Sequence, residues 1–232
     1  MALDPRKRQK KLQRRAQKQK ERKKALAKHD SRDVSFRLER AAAAPVLHSC
    51  GTRALWNGMG YVLLSRQLSN GAVAFAAFLV DMYCLGVKDG MYNVLSRVEY
   101  DQGPYQRLFP AGERVRLRPE CARKLVEGAV EFALDLGIAP HRDYRTAKLI
   151  FGDIDAAACS KEFEYGRDGK PFFVAGPHDS LARCRQIAEQ LAARCGPDGA
   201  HYIIPVSRDE LGDVLFLGGD GNCDEEDEEF DE

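Results

Sequence analysis

Apolar positions crowd into one stretch of the chain, Gly60 to Gly90, which reads GYVLLSRQLSNGAVAFAAFLVDMYCLGVKDG. Tyr61 to Leu68 is rich in β-compatible residues, and Ala72 to Cys84 is a second apolar run. Between them Ser69-Asn70-Gly71 supplies an Asn-Gly pair suited to positive φ, so the stretch predicts a β-hairpin. Strand alternation places Val73, Phe75, Leu79, Asp81 and Tyr83 on one face, and Ala72, Ala74, Ala76, Phe78, Val80, Met82 and Cys84 on the other. Both faces are apolar, the pattern of a strand covered on both sides. Asp81 breaks it. A carboxylate buried there without partners costs several kcal/mol or takes up a proton, so Asp81 either meets a cation or backbone N–H donors as the strand ends, or lines a site.

Helical periods lie on either side of this centre. Pro119 to Leu136 carries Ala122, Leu125, Val126, Ala129, Phe132, Ala133 and Leu136 at i, i+3, i+4, i+7 spacing, with proline in the first turn and Gly137 at the end. Leu181 to Cys195 repeats the pattern, with Asp179 or Ser180 as N-cap and Gly196 as stop. A shorter helix, Ser31 to Ala44, ends at Pro45. Val87 to Gly90 predicts a turn and Met91 to Val98 a strand, followed by a long irregular connection, Tyr100 to Arg118. Phe163 to Tyr165 and Lys170 to Ala175 flank the turn Gly166 to Gly169 as a second hairpin, and His201 to Val206 predicts the last strand. The glycine-punctuated segment before the central hairpin has no clear period; its Trp56 reads as a core residue at the sheet edge. The expected fold class is α+β: a mostly antiparallel sheet built on the central hairpin and covered by two amphipathic helices.

Charge changes this picture at both ends. The formal net charge of +1 over 232 residues is the balance of two opposed blocks. Residues 1–28 hold 13 Lys/Arg against 2 acids, and residues 220–232 hold 9 acids and no base. The predicted organisation is a basic, disordered or solvated-helix arm at 1–30, a single α+β domain at 31–219, and an acidic disordered tail at 220–232. Arg6, Lys7, Arg8, Lys10, Lys11, Arg14, Arg15, Lys18, Lys20, Arg22, Lys23 and Lys24 suit phosphate contacts that weaken with salt, and no aromatic residue is interleaved for base readout. The expected partner is RNA or a ribonucleoprotein, with DNA possible; a merely solubilising arm is the alternative. The acidic tail can lie across the arm and compete with nucleic acid, or stand idle. Arg114, Arg116 and Arg118 alternate, and extend the basic surface if that piece is a strand.

No segment at the start reads as a signal peptide, and the longest apolar run, Ala72 to Val80, is far short of a membrane span, so a cytoplasmic protein without a membrane partner is expected. Seven scattered cysteines without a C-x-x-C pair predict free thiols in a reducing compartment, and His48-x-Cys50 is a weak zinc signal.

Groups capable of chemistry gather in GIAPHRDYRTAKLIFGDIDAAACSKEF. Asp153 and Asp155, with Asp81 brought alongside by the fold, can hold Mg²⁺ or Mn²⁺ for phosphodiester hydrolysis, with His141 as general base. Asp155 reads equally as an N-cap before three alanines, and Asp153 as a turn former. Gly176-Pro177-His178 before the last helix is a further, unspecific anion-binding candidate.

The strings FLVDMYCLGVKDG, KLVEGAVEFALDLGIAPHRDYRTAKLIFGDID and DGKPFFVAGPHD resemble an uncharacterised conserved bacterial protein family, a domain of unknown function with no assigned activity. The likeness spans roughly residues 45 to 205. It implies that the body is a domain of its own kind and supplies no reaction. The expected function therefore rests on charge: a non-enzymatic nucleic-acid or ribonucleoprotein-associated factor, with a metal-dependent hydrolase or nuclease and a protein-interaction module as alternatives.

Overall fold

The computed structural model of the chain describes residues 33–176, 179–196 and 198–204, together with Gln17. The basic arm apart from Gln17, the acidic tail, Pro177, His178, Val206 and Cys223 lie outside the described residues.

The fold is α+β, organised on a five-stranded antiparallel sheet of order β4-β3-β2-β1-β5. Its strands are β1 (Val46–Thr52), β2 (Met59–Gln67), β3 (Val73–Asp81), β4 (Gly86–Leu95) and β5 (Arg114–Arg116). The central hairpin forms as the alternation dictates, with Tyr61 opposite Leu79 and Gln67 opposite Val73. At its turn the Asn70 side chain accepts the Ala72 N–H at 3.1 Å.

Both sheet faces are covered. On one, Val62, Leu64, Ala74, Ala76, Phe78 and Val80 pack under α2 (Pro119–Asp135), through Ala122, Leu125, Val126 and Ala129. Leu38 and Ala41 of α1 (helical residues 33–41) join this layer, with Ile150 and Phe151. On the other face Leu63, Val73, Phe75 and Ala77 pack against Tyr100 and Phe109. That cover comes from the connection expected to be irregular, which forms the helical turns Arg97–Tyr100, Asp101–Tyr105 and Gln106–Leu108. Its start is a capping box: Ser96 Oγ accepts the Glu99 N–H at 3.3 Å and Glu99 Oε2 accepts the Ser96 N–H at 3.0 Å. The signal Ser96-x-x-Glu99 stands in the sequence.

The second amphipathic helix, α3 (Leu181–Cys195), packs beyond the end of the sheet. Cys184, Ile187 and Leu191 meet Cys84, Leu85, Ala133, Leu136 and Phe173. Beside it lies a parallel pair, β6 (Phe172–Val174) with β7 (His201–Ile203).

Four local expectations are corrected. The turn lies at 82–85 rather than 87–90, which belongs to β4. Asp81 fixes it by accepting backbone N–H groups inside the turn, and Gly86 closes it at φ +63°, where a side chain would run into the Ala129 carbonyl of α2. The second hairpin does not form, because Tyr165 donates its hydroxyl to the Leu125 carbonyl of α2 at 3.0 Å, and Phe172–Val174 pairs with His201–Ile203 instead. Trp56 is 43% exposed, since Leu55 is the residue its short 3₁₀ turn buries. Cys121 and Cys159 form a disulfide, whereas free thiols were expected; among the other described cysteines, Cys50, Cys84 and Cys184 are free and buried, and Cys195 is free and half-buried.

Candidate functional site

The four residues proposed as a carboxylate and histidine site each have partners of their own. Asp81, buried at the end of β3, accepts the Tyr83 N–H at 2.9 Å and the Cys84 N–H at 3.1 Å through one oxygen. Burial pushes its carboxyl above the usual carboxylate range; those two hydrogen bonds and the nearby Lys88 charge oppose the shift. Asp153 is exposed, with a carboxylate oxygen 3.7 Å from Arg66 Nη2. Asp155 caps the turn Ala156–Ala158 by accepting the Ala157 N–H at 2.9 Å. His141 lies with different acids.

Asp89, His141 and Asp143 offer three ligand atoms that all lie within 4.8 Å of one another. His141 Nδ1 is 3.6 Å from Asp89 Oδ1 and 3.6 Å from Asp143 Oδ2. Two local features build this group. The loop after α2 is latched to β4, where the His141 N–H donates to the Val87 carbonyl at 2.8 Å. The β3–β4 register then shifts, with Val80 opposite Val87 but Leu79 opposite Asp89, so Lys88 is an extra residue in a β-bulge. Bulges re-aim the neighbouring side chain, here Asp89. Sequence alone did not single out Asp89 or the bulge, because both depend on pairing between strands. A cleft of about 550 Å³ opens beside the group, lined by Asp33, Arg37, Asp89, Tyr92, Asn93 and Asp143 among others.

A second feature lies on the opposite edge strand. Arg114 and Arg116 are exposed on β5, which pairs with β1 along one side only. Arg114 lies 5.5 Å over the Tyr105 ring and donates to its hydroxyl. Tyr105 stacks on His48 at 4.2 Å between centroids, and His48 Nδ1 is 3.0 Å from the Tyr100 hydroxyl, which donates to Ser65 Oγ at 3.0 Å. Burial, then the Arg97 charge, pulls the His48 pKa below its ordinary value, so the ring is neutral at pH 7 and the stack adds no further cation. Arg118 is turned away from this strand, held by Glu120 and the Ala158 carbonyl. The twelve basic residues from Arg6 to Lys24 named as phosphate contacts lie outside the described residues.

Comparison with protein-family models, with curated proteins and with solved structures finds no match to the chain. Among the described residues no helix is long and apolar enough to cross a membrane.

Proposed function

We propose that the protein is a non-enzymatic nucleic-acid-associated factor, binding the phosphates of RNA or a ribonucleoprotein through residues 6–28, with edge strand β5 as a second anchoring point on the body. The observation that carries this reading is the pair Arg114 and Arg116, exposed on an open edge, with the first oriented by Tyr105. Two guanidiniums spaced i, i+2 on a strand share a face, and an oriented guanidinium contacts phosphate with less rotamer entropy to lose. The arm supplies charge density and the edge supplies a fixed point on a folded surface. The acidic residues 220–232 act as an internal competitor that suppresses weak, non-specific contacts.

The test is binding of RNA and DNA across a salt series by the full chain, by a chain lacking residues 1–28, and by Arg114→Ala/Arg116→Ala. Removal of the arm is expected to abolish most of the affinity and flatten its salt dependence. The double variant is expected to lower the slope of log K against log salt by roughly 1.4 on single strands, about 0.7 for each phosphate that an arginine no longer neutralises. Unchanged affinity on removal of the arm, in a protein whose circular dichroism is intact, sinks the reading.

A further inference from the structure

We propose that Asp89, His141 and Asp143 form a binding site for a first-row divalent transition-metal cation, with its open coordination positions facing the cleft between β4, α1 and the 141–144 turn. The site is independent of the phosphate-binding reading, and it is not the set of acids that the sequence suggested.

The geometry asks for a positive centre. Two carboxylate oxygens each stand 3.6 Å from the same imidazole nitrogen, too far for a hydrogen bond. The Asp143 N–H points at that nitrogen from 3.4 Å, which assigns the lone pair to Nδ1 and the proton to Nε2. Three lone-pair atoms therefore converge with no donor side chain among them. Ligand atoms held about 2.1 Å from one cation in a tetrahedral set stand about 3.4 Å apart, close to the two nitrogen–oxygen separations of 3.6 Å found here. One nitrogen and two oxygens suit Mn²⁺ or Zn²⁺ better than Mg²⁺ or Ca²⁺, which prefer oxygen alone.

The surroundings support an open site rather than a closed structural one. The Gly90 N–H donates to Asp89 Oδ1 at 2.8 Å and fixes that carboxylate. Arg142 Nε lies 3.9 Å from Asp143 Oδ1, the oxygen that does not face His141. All three ligating side chains keep solvent access, and three protein ligands leave room for water or for a ligand oxygen entering from the cleft. On the cleft wall Asp33 adds a carboxylate and Arg37 a cation that an anionic ligand group can meet. The cation thus sits where β4 bulges and where the loop after α2 is tied down, so its binding would join two segments that are distant in the chain.

The experiment uses the full chain, with Mn²⁺ and Zn²⁺ as probes and Mg²⁺ and Ca²⁺ as comparisons. Calorimetric titration is expected to show one saturable Mn²⁺ or Zn²⁺ site, with Mg²⁺ and Ca²⁺ bound more weakly. Asp89→Asn and His141→Gln are each expected to weaken it about tenfold or more, with circular dichroism unchanged. The nine acids of residues 220–232 offer a weak background of their own, which the same titration of the Asp89→Asn/His141→Gln/Asp143→Asn protein measures. Identical isotherms for that triple variant and the parent overturn the proposal. So does a proton NMR titration in which substoichiometric Mn²⁺ broadens another of the five histidine rings before that of His141.

Discussion

Arg66 Nε donates to the Ile150 carbonyl at 2.8 Å, joining two residues 84 positions apart in the heart of the fold. The same guanidinium donates through Nη2 to the Phe151 carbonyl at 2.8 Å and through Nη1 to the Ala44 carbonyl at 2.6 Å. Arg66 is only 3% exposed, so one cation on β2 closes the ends of two helical segments against the sheet. Burial lowers its pKa and the Asp153 carboxylate raises it, from a value so high that the group stays charged.

Arg66→Met is therefore expected to cost about 3–5 kcal/mol, because three carbonyl partners lose their donor at once. Arg66→Lys is expected to recover only part of that, since an ammonium cannot reproduce the planar fork. Asp153→Asn should cost less than about 1 kcal/mol, its side chain being 85% exposed. Urea denaturation of the three variants measures the contrast. A parent-like midpoint for Arg66→Met contradicts the clasp.

Asp81 yields a prediction with a sign. Its folded carboxyl binds a proton more tightly than the unfolded one, for burial is the dominant cause. Stability from this group is then fully present below the unfolded value of about 4 and is lost as pH rises through the higher folded value. Asn keeps an oxygen for the Tyr83 and Cys84 N–H groups and removes the charge. Asp81→Asn should be as stable as the parent or more so at pH 7, and the advantage should shrink as the solution is acidified towards about pH 4. Asp81→Ala, which leaves both N–H groups without that acceptor, should lose about 1–3 kcal/mol. Denaturation midpoints against pH decide it; an Asn variant as unstable as the Ala variant at pH 7 assigns Asp81 a need for charge.

The Cys121–Cys159 bridge closes a 38-residue separation and fastens the segment after the 148–151 turn to the start of α2. Chain entropy puts the cost of removing it at about 2–4 kcal/mol. Other bonds span the same gap: Arg123 to the Ile154 carbonyl at 2.6 Å, and Lys124 to Glu162 at 2.8 Å. Reduction, or Cys159→Ser, is expected to lower the melting temperature while leaving a folded protein with a native far-ultraviolet spectrum. Collapse of the fold on reduction would show that these polar ties are insufficient.

Elements fixed by short-range pattern are legible in the chain. The Asn70-Gly71 turn, the two-sided apolar run of β3 and the α2 stripe each have a local cause, and each forms. What escapes is decided at a distance. Asp81 stands out as an anomaly, but its partners come from a turn that precedes the predicted one. Asp89 and His141 meet only because Lys88 is bulged out, which no single-strand period reports. The choice of Cys159 for Cys121 among seven cysteines follows from how the 148–159 segment returns over α2. The Ser96-x-x-Glu99 box is a local signal too, masked by the glycine and proline that follow it.

Two-sided cover of the sheet has a consequence for how copies of the chain meet. With both faces occupied, unpaired strand backbone is left at the margins, and at β4 the His141 N–H already fills one acceptor. The open margin at β5 is three residues long and carries Arg114 and Arg116. Two copies approaching antiparallel along that margin would set guanidinium against guanidinium, a pairing that costs free energy. The same margin proposed above as a phosphate anchor would thus guard the protein against stacking into an extended intermolecular sheet.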